Sequence, residues 1–308
     1  MILCVCLSPA IDVTYHVERM VKGATVRVRS VSERPGGKAV NVARVLHALG
    51  EPVLVVAPVG GETGAELRRT LAELGIECRL VPDEAPTRRT VTVVDDEGEA
   101  TCLVEPASIT RWPEIHGAFF ESLADADAVV ISGGLPAGVP SRGLTQLIEA
   151  GRARSVPIVT DTHGPALLEA IEAGAHVVKP NVEELAHATG DVDPVRAARH
   201  LTDRYGTVVV LSRGGDGVVA TAPNGTWEAR PAAVVRGNPT GAGDALVAGL
   251  ARGLAGSRHA WDHPESLLRD AVALSVASVF TATAGTVDLS AYAEARAGIS
   301  VMSPDGVG

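Results

Sequence analysis

Residues 157–189 read PIVTDTHGPALLEAIEAGAHVVKPNVEELAHAT. The run 157–161 is short and apolar, as a strand buried on both faces would be. Gly164 and Pro165 then open an apolar-periodic helix over 165–173, which Gly174 stops. A second apolar run, 176–179, leads into a second helix over 182–189. Strands that alternate with helices in this way can pair in parallel, because each helix supplies the long crossover that parallel neighbours need.

The pattern extends in both directions. Upstream, a strand over 128–132 is followed by a helix from about 141. Downstream come a helix over 194–205, strands over 207–212, 217–221 and 232–236, and two long helices over 241–254 and 264–284. Near the start, 2–7 and 52–59 read as buried strands and 38–49 and 62–74 as helices, each ended by a glycine (Gly50, Gly75). Four segments interrupt this order. Residues 13–17, 25–31, 90–94 and 101–104 alternate polar and apolar, as half-exposed strands do. The fold class expected is therefore α/β: a mostly parallel central sheet with helices on both faces, plus a small β-sheet lid. A single domain over 1–298 is expected, with lid strands inserted at about 12–32 and 87–105 and a loose tail over 299–308.

Composition narrows the function. The chain has 308 residues, of which 46% are hydrophobic, enough for a sizeable core. Its formal charge is −10, which argues against a generic nucleic-acid-binding face. Phosphates must then be held by a few local cations and by backbone N–H groups. The four cysteines are too scattered for a disulfide scaffold, and Cys4 and Cys6 fall within an apolar strand. Residues 271–287 are uncharged, yet shorter than the ~20 apolar residues of a membrane span, so a buried helix is expected there. The N-terminus lacks a basic segment and a cleavage site. No membrane partner and a cytoplasmic location are the expectations.

Two segments carry chemistry. The first is Asn238-Pro-Thr-Gly-Ala-Gly-Asp244-Ala-Leu-Val-Ala-Gly249. Glycines turn the chain into an apolar helix, so that backbone N–H groups of Gly241, Ala242 and Gly243 point out of a helix N-terminus, an anion site. An acid inside such a site suits a base that takes a proton from a hydroxyl attacking a phosphoryl group. It equally suits an ordinary first-turn Asp favoured by the helix dipole. The second segment is Pro35-Gly-Gly-Lys-Ala-Val-Asn41-Val-Ala-Arg44, where paired glycines let a ligand approach and Asn41 lies one turn into a helix. A G-x-G-x-x-G fingerprint fails at Leu246, and no G-x-x-x-x-G-K-[ST] occurs.

Together these segments resemble the two signatures of the ribokinase-like (PfkB) carbohydrate kinases. Lesser features agree: Cys6-Leu-Ser-Pro-Ala-Ile-Asp12, Ile131-Ser-Gly-Gly-Leu-Pro-Ala-Gly138, Lys179-Pro-Asn181-Val-Glu-Glu184 and Ser212-Arg-Gly214-Gly-Asp-Gly217. The resemblance covers about residues 2–290. It implies Asp244 as catalytic base, with Gly241, Ala242 and Gly243 holding the transferring phosphoryl. It implies Asn181 and Glu184 at a Mg²⁺ ion, and Lys179, Ser212, Gly214, Gly217, Thr240 and Ser278 around ATP. Asp12, Gly36, Gly37, Lys38 and Asn41 would hold the sugar. The implied cofactors are ATP and Mg²⁺, with a monovalent cation open. Closure of the lid would exclude water, and lid strands would pair two copies into a homodimer.

Within the family the chain is most similar to the 1-phosphofructokinase and tagatose-6-phosphate kinase branch, through its Asp12, Lys38, Asn41 and Asn238 segments and Thr87-Arg88. A ketohexose phosphate is the implied substrate, and Arg27, Lys38 and Arg88 (with Arg89 a weaker fourth) are the candidate cations for its phosphate. Several positions depart from that branch. Thr92 and Cys102 stand where lid cations are usual, Gly134 replaces a Ser, Arg213 an apolar residue, and Ser278 an adenine-side Asn. An unphosphorylated sugar or nucleoside therefore remains an alternative substrate, and a non-catalytic sugar-phosphate sensor a remote alternative function. His163, at the end of a strand near this site, reads as structural or surface.

Overall fold

Successive residues of the first strand, β1 (Ile2–Val5), enter opposite sides of the protein: Ile2 and Cys4 join one apolar core, Leu3 and Val5 the other. A strand buried on both faces needs helices on both, and the computed structural model, which describes residues 1–303 apart from 236, 258 and 282, has them. After β1 come β2 (Ala10–Val17), β3 (Val28–Gly36), α1 (Lys38–Ala48), β4 (Val53–Val59), α2 (Gly61–Glu73) and β5 (Glu77–Pro82). Then follow β6 (Arg88–Val94), β7 (Ala100–Val104), α3 (Trp112–Ser122), β8 (Ala128–Ser132), α4 (Gly143–Ala153), β9 (Ile158–Asp161), α5 (Pro165–Glu172) and β10 (Val177–Val178). The chain closes with α6 (Val182–Thr189), α7 (Pro194–Tyr205), β11 (Val208–Ser212), β12 (Val218–Ala222), β13 (Gly225–Arg230), α8 (Ala242–Gly256), α9 (Glu265–Val279), α10 (Leu289–Gly298) and β14 (Ser300–Met302).

The main sheet runs β14-β13-β12-β11-β10-β9-β8-β1-β4-β5. From β5 to β11 every pairing is parallel, and the last three strands are antiparallel. Helices α1, α2, α8 and α9 cover one face, α3 to α7 the other. The four alternating segments make one separate sheet, β3-β2-β6-β7, joined at its centre by a parallel β2–β6 pair. The α/β fold with a small second sheet is thus as the sequence implies.

Some expectations change. The strand expected over 232–236 is not there: residues 232–235 are irregular, residue 236 lies outside the described residues, and the strand is β13, whose Trp227 and Ala229 are buried while Arg230 is exposed. The helix expected to reach 284 ends at Val279, because Thr281 Oγ1 donates to the Ser278 carbonyl and so competes with continued helix. The tail is not loose from 299. Ile299 is buried and β14 pairs with β13, so order extends past the expected boundary. Residues 304–308 lie outside the described residues. Cys4 and Cys6 are buried apolar residues, as their strand setting implies. Among the described residues, no helix is long and apolar enough to cross a membrane.

Candidate active site

Ser132 ends β8, Asp161 ends β9, and Lys179 follows β10 directly. Carboxyl ends of parallel strands are where open α/β sheets place their ligands. Asp161 is 1% exposed, and Ser132 Oγ donates to its Oδ2 at 3.3 Å. Lys179 Nζ lies 3.3 Å from Asp161 Oδ1, and Lys38 Nζ, from the first residue of α1, lies 3.3 Å from Oδ2. The two ammonium charges hold the Asp161 carboxyl below the ordinary aspartate range despite full burial.

Asp244 stands in the first turn of α8, facing this group. Its backbone approach depends on Gly241, the residue before the helix, at φ +90°. A Cβ there would also lie 2.7 Å from Ala284 Cα, so only glycine fits. Asp244 is buried, and burial pushes its carboxyl up to about 7, with the negative charge of Asp161 adding to the effect. Lys38, a hydrogen bond from Asn41 and Lys179 oppose it. Asn41 Nδ2, one turn into α1, donates to Asp244 Oδ2 at 2.9 Å. Asn41 Oδ1 is buried with no hydrogen-bond partner, a vacancy that a ligand hydroxyl would satisfy.

The helix N-terminus differs in one respect from expectation. The N–H of Ala242 is taken by the Pro239 carbonyl at 3.1 Å, so Ala242 offers no free donor. Among the described residues the Gly243 N–H has no backbone acceptor, and Lys179 Nζ lies 3.5 Å from where a Gly243 Cβ would be. An ammonium group and a helix N-terminus thus converge beside Asp244.

On the other side lies the small sheet. Asp12 of β2 pairs in register with Arg34 of β3, and its carboxyl packs against Gly36 so closely that a Cβ on Gly36 would sit 2.1 Å from its Cγ. Burial raises the Asp12 carboxyl, and Arg44, Arg88 and Thr90 counter this. Gly37 begins α1 as its N-cap. Arg44 Nη1 donates to the Pro35 carbonyl at 3.3 Å and to the Ala284 carbonyl at 2.9 Å. Arg88, half-buried, donates through Nη1 to the Glu105 carbonyl, while its Nε is buried and unpartnered. Arg27 is exposed ahead of β3, and no hydrogen bond or ion pair ties it to the crevice.

The expected nucleotide residues form a second group. Asn181 and Glu184 make a capping box at the start of α6: Asn181 Oδ1 accepts from the Glu184 N–H at 2.7 Å, and Glu184 Oε2 from the Asn181 N–H at 2.9 Å. Asn181 bridges to Ser212, whose Oγ donates to the Pro180 carbonyl at 3.3 Å. Gly214 and Gly217 form the following turn. Thr240 is exposed, and its N–H donates to Asn238 Oδ1. Ser278 Oγ donates to the Ser275 carbonyl of its own helix and the residue is 2% exposed, so its hydroxyl is already committed. Arg213, the unusual basic residue, is ion-paired with Glu228 of β13.

Asp161 is the residue that motif reading missed. The signal was present: an apolar strand ending in an acid at the ligand-bearing edge of a parallel sheet.

Known proteins share this fold. Residues 1–290 match the model of the pfkB family of carbohydrate kinases. The chain belongs to that family. It is similar to phosphofructokinase-2 from Escherichia coli in complex with potassium, with 26% identity, 96% of this chain and 98% of that one covered, and a TM-score of 0.86. A Thermotoga maritima protein described as a possible 1-phosphofructokinase is 26% identical, over 98% of this chain and 99% of that one, with a TM-score of 0.84. The Escherichia coli enzyme in complex with fructose-6-phosphate is 25% identical over 96% and 98%, with a TM-score of 0.83.

A kinase of this family acts with ATP and a metal. Among the described residues no three His, Cys, Asp or Glu side chains gather to cage a metal. One carboxylate with an uncommitted oxygen, Glu184 Oε1, beside an Asn suits Mg²⁺, which keeps several waters and leans on substrate phosphates. Asn181 and Glu184 fit that role, with Glu184 the better donor.

Proposed function

We propose that the chain is an ATP-dependent phosphosugar kinase that transfers the γ-phosphoryl group to a hydroxyl of a ketohexose phosphate: fructose 1-phosphate, tagatose 6-phosphate or fructose 6-phosphate. The observation that carries this reading is the pairing of a buried Asp244, raised to about 7, with Asn41 beside two ammonium groups. A carboxylate near neutrality is a competent general base for a sugar hydroxyl. The N–H groups of Gly241 and Gly243 donate to the phosphoryl oxygens, and Lys38 and Lys179 offset their charge. Asn181 and Glu184 hold Mg²⁺, which when bound bridges and neutralises nucleotide phosphates. Ser212, Gly214, Gly217 and Thr240 border the nucleotide, while Ser278, buried and bonded to its own helix, lies behind them. Asp12 and Asn41 bind sugar hydroxyls, Gly36 and Gly37 give them room, and Arg88 and Lys38 meet the substrate's own phosphate.

A second reading, an unphosphorylated sugar, has a specific observation in its favour. Thr92 Oγ1 and Cys102 Sγ face each other at 3.8 Å across β6 and β7, at positions where a phosphate clamp would need cations. The exposed apolar residues Val28, Val31, Leu103 and Val104 on the two edge strands of the small sheet support a homodimer formed through that sheet. A cytoplasmic setting suits such an enzyme.

The deciding experiment is a coupled ADP-release assay with MgATP and a panel of fructose 1-phosphate, fructose 6-phosphate, tagatose 6-phosphate, fructose, ribose and adenosine, with Asp244→Asn as the blank. Turnover confined to the phosphorylated ketohexoses supports the first reading. Turnover confined to neutral compounds replaces it with the second. Binding without any turnover leaves a sensor.

A further inference from the structure

Asp161 carries more buried charge contacts than any catalysis by Asp244 alone requires. Its carboxylate meets two ammonium groups: Lys179 Nζ lies 3.3 Å from Oδ1, Lys38 Nζ lies 3.3 Å from Oδ2 and donates to Oδ1 at 3.4 Å, and Ser132 Oγ donates to Oδ2. The two lysines come from different sides of the crevice. Lys38 opens α1 directly after the Pro35-Gly36-Gly37 turn, and Lys179 leads into the Asn181–Glu184 capping box. The carboxylate offers acceptors on both oxygens and a charge opposite to that of both ammonium groups; an amide in its place keeps one acceptor, loses the charge and turns a donor toward Lys38 or Ser132.

The other carboxylate in reach is Asp244. It faces Lys38 and Asn41 on α1, Asp161 at the end of β9, and Lys179 behind β10. The other strands against α8, β1 and β8, have no charged residue. The charged residues of α9 lie in its first two turns, with Arg269 bonded to Ile299 and Asp270 to Arg296. Lys179 Nζ already reaches within 3.5 Å of the position of a Cβ on Gly243, the neighbour of Asp244.

Resting on the assignment of Asp244 as base, we infer that Asp161 is a positioning residue: it holds the Lys38 and Lys179 ammonium groups off Asp244 and aims them at the path of the phosphoryl group. Its own negative charge also favours the protonated form of Asp244, whereas the two lysines favour the ionised form. Removing the Asp161 charge therefore changes both influences in one direction.

The test is the pH dependence of kcat and kcat/KM for Asp161→Asn, with the best acceptor of the panel and saturating MgATP. The acidic limb is expected to move down by about one pH unit or more, the displacement typical of a lost like charge or a gained opposite one. The plateau kcat should fall about tenfold or more as the lysines lose their aim. A lower kcat with the acidic limb unmoved would show a structural role only and overturn the inference. Should Asp161→Asn not fold, Lys38→Met and Lys179→Met serve instead: each is expected to move the limb up, and no movement in either overturns the inference. Asp244→Asn keeps the two ideas apart. If it turns over at the parental rate, the base assignment fails; if it is inactive and the limb in Asp161→Asn is unmoved, only the role of Asp161 fails.

Discussion

Asn41 Nδ2 reaches across from α1 to Asp244 Oδ2 on α8, 2.9 Å away and out of contact with water. The bond is made to the carboxylate, so it favours the ionised form, and it fixes the orientation of the carboxyl group. Hydrogen bonds to charged groups contribute about 1.5–3 kcal/mol. Asn41→Ala should therefore lower kcat at pH 7 by about ten- to a hundredfold and move the acidic limb upward. Steady-state kinetics from pH 6 to 9 check both, and an unchanged limb would mean that the bond does not act on the base.

The raised carboxyl of Asp244 also has a stability consequence. Its folded value of about 7 lies above its ordinary one, so the folded chain holds a proton there that the unfolded chain releases. Stability then declines as pH rises from about 4 to about 7, the reverse of a carboxylate in a favourable ion pair. Asp244→Asn, which cannot ionise, should raise Tm at pH 8 and lose that advantage near pH 4. Thermal unfolding of both proteins at the two pH values measures it. A variant less stable at pH 8 would show that Lys38 and Lys179 need the Asp244 charge.

Gly36→Ala places a methyl group where the Asp12 carboxyl now stands. Relief requires that β2 and β3 separate or that Asp12 turn away, and overpacking of this kind costs about 1–3 kcal/mol. The KM for the sugar should rise about tenfold or more while the KM for ATP stays within about twofold. Parallel titrations of the two substrates decide it; equal losses for both would place Asp12 outside the sugar site.

Arg88 separates the two substrate readings. Among the described residues its buried Nε has no hydrogen-bond partner, so an anion at that point would complete its hydrogen bonding. If the acceptor carries a phosphate, Arg88→Ala should raise its KM by about ten- to a hundredfold, the worth of one charge-assisted contact. If the acceptor is neutral, KM should scarcely move. Comparing a sugar with its phosphate on the same variant gives the answer.

The parallel order of the sheet was legible because each strand from β8 to β11 is a buried apolar run between helical patterns punctuated by Gly and Pro. Helix α8, which carries Asp244, was legible because its glycines and acid are local in sequence. Three things were not. β13 begins at the tight turn after Ala222, and its alternation is only a few residues long, so the strand was placed too late. The end of α9 is decided by the Thr281 hydroxyl, whose competition with the helix leaves no trace in hydrophobic periodicity. The Asp161 cluster joins residues from α1, β8, β9 and the end of β10, and no spacing along the chain reports that meeting.

One guanidinium bonds two segments that lie far apart in sequence. Arg44 holds Pro35, near the end of β3, and Ala284, in the turn that backs Gly241. Both segments are tied to the same strut. A ligand that stiffens one thereby lowers the conformational entropy still to be lost at the other, and by reciprocity the second ligand returns the same advantage to the first. If sugar and nucleotide occupy separate walls of the crevice as proposed, they are in this way expected to bind cooperatively through Arg44.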